Sequence, residues 1–162
     1  MATKDEYFDH LKEVNRTFYD QVRGADQKAA YIFTFMLALL IWSSEARDMF
    51  TLHRYVGAPL PVIACSALAA VSLLTAAMAA ILVVMPRRRE GGSSLFWGSW
   101  DASSLALKEA EARGDLDFLM NEYRTNITHL AAICRTKYRL VALAFRALAV
   151  ALLAHFAVLA IS

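Results

Sequence analysis

Arg124, Arg135, Arg139 and Arg146 fall on one face if the stretch that carries them is helical, because their spacings of eleven, four and seven residues are close to whole turns. Guanidinium groups in such a row can hold phosphate oxygens through paired, charge-assisted hydrogen bonds. They can equally stay solvated, lie against lipid headgroups, or meet an acidic face. The N-terminal stretch offers such a face in Glu6, Asp9, Glu13 and Asp20. A second constellation is GSSLFWGSWD at residues 92–101, directly behind Arg87, Arg88 and Arg89. Leu95, Phe96, Trp97 and Trp100 are costly to leave in water. Either they settle in a headgroup layer, where indole suits a half-wet site, or they form a flat wall that stacks a nucleotide base.

Other chemistry finds little support. The chain has no phosphate-binding P-loop, no Gly-rich dinucleotide fingerprint and no His-Glu-x-x-His. His10, His53, His129 and His155 are scattered through different surroundings, so no metal site is expected. Cys65 lies in an apolar block and Cys134 in a polar helix, which implies no disulfide. His155 reads as a packing or hydrogen-bonding residue of an apolar helix, although an ionisable group there is also a functional candidate. No nucleophile and base are paired by spacing. The chain is therefore read as a non-enzyme, without a metal or a resident cofactor. A net charge of +2 does not suggest a nucleic-acid partner.

The elements that position these residues are set by how the apolar residues cluster. Of 162 residues 58% are apolar, and they gather into blocks almost free of charge, as in an integral membrane protein. Residues 60–86 form the longest such block and 140–162 the next, broken by Arg146 and His155. Residues 29–44 form a shorter third block, brought near spanning length by Ser43 and Ser44, with Tyr31 and Trp42 as interfacial aromatics. The expected fold is all-α, with three transmembrane helices and helical extensions. The charged N-terminus, 1–28, is too long to read as a cleaved leader and is taken as retained.

Arg23 and Lys28 precede the first span, Arg87, Arg88 and Arg89 follow the second, and Arg135, Lys137 and Arg139 precede the third. Positive loops resist translocation, so the N-terminus and residues 87–139 are expected to be cytoplasmic and the 45–59 loop external. Tyr7, Leu11, Val14, Phe18, Val22 and Ala25 form an apolar seam that leads into the first span, and Gly24 alone need not break that helix. After a Gly/Ser/aromatic linker at 87–114, Asp115 is a plausible N-cap for a second seam of Leu116, Leu119, Tyr123, Ile127, Leu130 and Cys134 in the helix 115–139. The two seams run in the same direction and are expected to pack in parallel, within one chain or between chains. Ser72, Ala76 and Ala80, and likewise Ala147 and Ala151, permit close helix approach inside one chain or in a homo-oligomer.

VRGADQKAAYIF at residues 22–33, with Ala25-Asp26 and Lys28-Ala29, resembles the start of the transmembrane effectors of Pycsar antiphage systems. SSLFWGSWDA at 93–102 and the pair Lys137-Tyr138 are similar to later parts of that family, in the same order along most of the chain. The resemblance implies a bacterial inner-membrane effector of abortive infection. A partner pyrimidine nucleotide cyclase would supply cyclic UMP or cyclic CMP, and the activated effector would impair the membrane. The residues put forward for the ligand are Asp26, Lys28, Trp97, Trp100, Arg135 and Arg139. No cyclic-nucleotide-binding β-barrel is recognisable in the chain. Two other readings stand beside this one: a ligand-independent membrane anchor or scaffold, and a small transporter or channel subunit with Arg146 and His155 on a polar path.

Overall fold

The computed structural model describes residues 3–86, 93–95 and 97–161. Among these residues there are five α-helices, α1 (Lys4–Trp42), α2 (Ser44–Asp48), α3 (Leu60–Val84), α4 (Trp100–Arg113) and α5 (Leu116–Ile161), with 3-10 turns at Leu52–Tyr55 and Trp97–Ser99. No strand occurs among the described residues. Arg87, Arg88, Arg89 and Phe96, singled out above, lie outside them.

α1 starts on a capping box. The Thr3 hydroxyl accepts from the Glu6 backbone N–H at 3.3 Å, and the Glu6 carboxylate accepts from the Thr3 N–H at 2.8 Å, which satisfies two of the donors that a helix start leaves open. The helix then runs 39 residues and passes Gly24 without a break. It stops at Trp42, two residues short of the expected 29–44 span, because Ser43 turns to extended backbone (φ −99°, ψ 115°) and caps α2 through the Ala46 N–H. α5 starts where Asp115 was expected to cap it. The Asp115 carboxylate accepts from the Phe118 N–H at 3.0 Å, and the helix continues for 46 residues. α1, α3 and α5 are each long and apolar enough to cross a membrane, with mean hydropathy in their most apolar windows of 1.2, 2.5 and 2.1 respectively.

α4 departs from the expectation, since Trp100–Arg113 lies inside the stretch 87–114 read as a linker. Its stop signal is plain in hindsight. Gly114 takes the left-handed conformation (φ 63°), and its N–H closes on the carbonyl of Glu111. The Gly/Ser content of residues 92–99 and a weakly amphipathic sequence hide the helix that follows.

The chain forms two compact units, one of Met1–Gly24 with Pro86–Thr136 and one of Ala25–Met85 with Lys137–Ser162. In the first, α1 and α5 are parallel, because their contacts advance together along both helices. Lys4 pairs with Asp117 at 3.1 Å, the Phe8 ring meets Tyr123 edge-on at 5.5 Å, Asn126 donates to Asn15 at 2.7 Å, and the Cys134 thiol donates to the Phe18 carbonyl at 3.5 Å. Leu11, Val14, Phe18 and Val22 are half-buried, as their spacing requires. Tyr7 is not part of the seam: it is 56% exposed and Phe8 takes its place. A phenol with a solvated hydroxyl stays outside at little cost, whereas Phe8 gains a T-shaped ring contact.

In the second unit a core of small side chains joins three helices. Ala25, Ala29, Ile32 and Met36 of α1 meet Leu73, Ala76, Ala80 and Val83 of α3 and Val141, Ala144, Leu148 and Ala151 of α5. Alanine at so many contact points lets the helix backbones approach closely, which is how apolar helices gain dispersion energy where lipid removes the hydrophobic driving force. The stripe of Ser72, Ala76 and Ala80 is buried within the chain, and Ala147 packs against the same core.

Candidate functional site

Continuing the α5 seam from Cys134 by steps of three and four leads to Lys137, Val141 and Ala144. Lys137 therefore stands on the apolar face, and its side chain is only 7% exposed. A buried ammonium needs a partner, and it has one in the Asp26 carboxylate of α1, which accepts a hydrogen bond from Lys137 Nζ. On α1 the pair is flanked by the first two core residues, Ala25 and Ala29. The ion pair thus lies where the polar part of α1 gives way to the apolar one.

Lys28 and Tyr138 add a second polar contact between the same two helices. Lys28 Nζ lies 5.1 Å from the centre of the Tyr138 ring, a cation–π distance. Beyond them a cavity of about 480 Å³ opens between α1 and α5, with Lys28, Tyr31 and Ile32 on one side and Tyr138, Phe145 and Arg146 among its lining on the other. No acidic residue lines it. Arg146 follows Tyr138 by eight residues, about 12 Å along the helix axis. Helical side chains set out tilted toward the N-terminus, so the Lys28 end of the cavity lies in the direction of reach of the long Arg146 side chain.

The residues put forward for a ligand divide between the two units. Asp26, Lys28 and Arg139 belong to the second, where Asp26 is engaged by Lys137, Lys28 covers Tyr138, and Arg139 is exposed. Trp97, Trp100 and Arg135 belong to the first. Trp100 is half exposed on the first turn of α4, Arg135 is exposed, and Trp97 is described by its backbone alone. The acidic and basic stripes do not pair with one another. Among the described residues the ion pairs join Lys4 to Asp117, Lys12 to Asp9, Arg113 to Glu109 and Lys137 to Asp26, and none involves Arg124, Arg135, Arg139 or Arg146. Asp9, one member of the acidic stripe, accepts a hydrogen bond from the Lys12 ammonium and so raises its pKa.

The sequence pointed to Asp26 and Lys28 without identifying their partners. The signal for Lys137 was its place on the apolar seam, where an unpartnered charge is not tolerated. Glu122 was missed as well. Its carboxylate accepts from the backbone N–H of Ser94 and so ties the GSSLFWGSWD segment to α5. Ser99 adds a second tie within that segment by donating to the Ser93 carbonyl at 2.8 Å.

The family model described as PycTM, Pycsar effector protein domain, matches residues 10–162, so the chain belongs to that family. No curated protein and no solved structure matches it.

Proposed function

From its membership of the Pycsar effector family, a membrane effector of antiphage defence, we propose that this chain is switched on by a cyclic pyrimidine nucleotide and then impairs the bacterial inner membrane. The messenger, cyclic UMP or cyclic CMP, comes from a partner cyclase. It binds on the cytoplasmic side, where residues 87–139 lie, and α1, α3 and α5 cross the bilayer with the N-terminus inside. Trp100 and Arg135 are available to it, since an exposed indole stacks a base and an unpaired guanidinium holds a phosphate. Trp97 and Arg139 are the next residues to test. Several copies of the chain act together.

The observation that carries the mechanism is the continuity of α1 and α5, which run 39 and 46 residues without a break from polar to apolar sequence. A rotation imposed on the polar part of such a helix is carried along its own length, and packed helices have discrete alternative arrangements rather than a continuous range. The Asp26–Lys137 pair holds α1 and α5 in one register at the end of the apolar stretch. Membrane impairment follows when that register shifts.

The test is binding of labelled cyclic UMP and cyclic CMP to the purified full chain in detergent, with cyclic AMP as the control. Saturable binding of one pyrimidine nucleotide, weakened by Trp100→Ala or Arg135→Ala, supports the proposal. Absence of binding by all three leaves a ligand-independent anchor as the better account.

A further inference from the structure

The cavity between Lys28 and Arg146 has a chemistry of its own. Two cations stand at its rim, neither in an ion pair among the described residues, and no carboxylate lines it. The nearby Asp26 carboxylate is taken by Lys137. The rest of the lining is mostly aliphatic and aromatic, with Ile32 following Lys28 on α1 and Val141, Ala142 and Phe145 preceding Arg146 on α5. Tyr31 and Phe145 expose 72% and 65% of their surface, so the walls open outward from the helix pair rather than into the core. Tyrosine beside lysine at the end of an apolar helix is the composition of a membrane–water boundary.

We infer that this groove holds one anionic phospholipid, its phosphate between Lys28 and Arg146 and an acyl chain laid over Ile32, Val141 and Phe145. Charge complementarity selects the headgroup. Two unpaired cations facing a low-dielectric environment are costly without an anion, and a phosphate accepts from the guanidinium fork and the ammonium together. The mostly apolar lining selects lipid over a soluble phosphate ester, because apart from the Tyr31 and Tyr138 hydroxyls it offers a ribose and a base edge no uncharged side-chain group to hydrogen-bond. At about 480 Å³ the groove is within the range of ligand sites. The bound lipid bridges α1 and α5 beside the Asp26–Lys137 pair and so adds to the clamp between these helices. The inference stands without the nucleotide proposal, since it needs only a membrane around the apolar helices.

Native mass spectrometry of the full chain in neutral detergent tests it, with phosphatidylglycerol and phosphatidylcholine of identical acyl chains. The expected result is retention of one phosphatidylglycerol per chain, about tenfold preferred over phosphatidylcholine, with the preference lost in Lys28→Gln/Arg146→Gln and kept in Arg146→Lys. Equal retention of the two lipids by the unaltered chain overturns the proposal, and that comparison decides even where the double variant does not fold. An undiminished preference in a folded double variant overturns it as well. So does displacement of the lipid by glycerol phosphate or a cyclic pyrimidine nucleotide at equal concentration, which identifies a soluble-phosphate site.

Discussion

Lys137 of α5 and Asp26 of α1 form an ion pair in which the lysine side chain is almost wholly buried and the aspartate about one-third exposed. Their residue types alone do not account for the arrangement. Lys137 occupies a seam position that sequence periodicity assigns to an apolar side chain, and the carboxylate that makes this tolerable comes from 111 residues away. Removing Asp26 leaves the Lys137 ammonium buried without compensation, removing Lys137 leaves a carboxylate that water still reaches, and removing both leaves an apolar contact.

Asp26→Ala is therefore expected to destabilise the protein by about 3–5 kcal/mol, Lys137→Ala by less, and Asp26→Ala/Lys137→Met by much less than the sum. Thermal unfolding in detergent, followed by tryptophan fluorescence, reads the difference. Additive losses would show that the pair is not coupled.

Asp115 caps the start of α5 and Gly114 ends α4 in the left-handed conformation. Asp115→Ala is expected to cost about 1 kcal/mol through the lost bond to the Phe118 N–H. Gly114→Ala is expected to cost a similar amount, because a Cβ strains φ 63° even though nothing lies near enough to clash. Limited proteolysis near residue 114 should speed up in both variants. Equal cleavage rates would contradict the capping assignments.

The edge-on contact of Phe8 with Tyr123 should contribute about 0.5–1.5 kcal/mol beyond its buried area, and Tyr7→Ala next to it should contribute far less. Comparing unfolding of Phe8→Ala with Tyr7→Ala distinguishes the observed seam from one built on Tyr7.

Glu45 in α2 accepts from its own backbone N–H and from Ser43 and Ser44, and these bonds hold its carboxyl below the usual carboxylate range. The sign follows from that lowered value. Any stability it confers is present above the ordinary carboxylate pKa and is lost as pH falls through the lower folded value. A carbon-13 titration of Glu45 should show the depressed midpoint, and Ser43→Ala should move it back up. An ordinary midpoint in the unaltered chain would count against the bonding described.

Much of the fold was legible in the sequence because its signals are periodic. The Asp115 cap, the uninterrupted passage through Gly24 and the parallel seams all follow from residue type and spacing. α4 was not legible, because the residues leading into it are rich in glycine and serine and its faces differ little in polarity. The candidate site was half legible. Asp26 and Lys28 were singled out, but Lys137, Tyr138 and Arg146 reach them only through the parallel register of two helices more than a hundred residues apart. The charge stripes were legible only as alternatives. Solvation, headgroups, a phosphate or the acidic face were all open to the arginines, and sequence could not choose; among the described residues those arginines form no ion pair.

Membrane potential in cells that make this protein tests the proposed activity most directly. Supplying cyclic UMP or cyclic CMP should collapse the potential in cells with the unaltered chain, leave it intact in cells without messenger, and require about tenfold more messenger with Arg135→Ala. An unchanged potential at saturating messenger, with the protein recovered in the membrane fraction, would contradict the account.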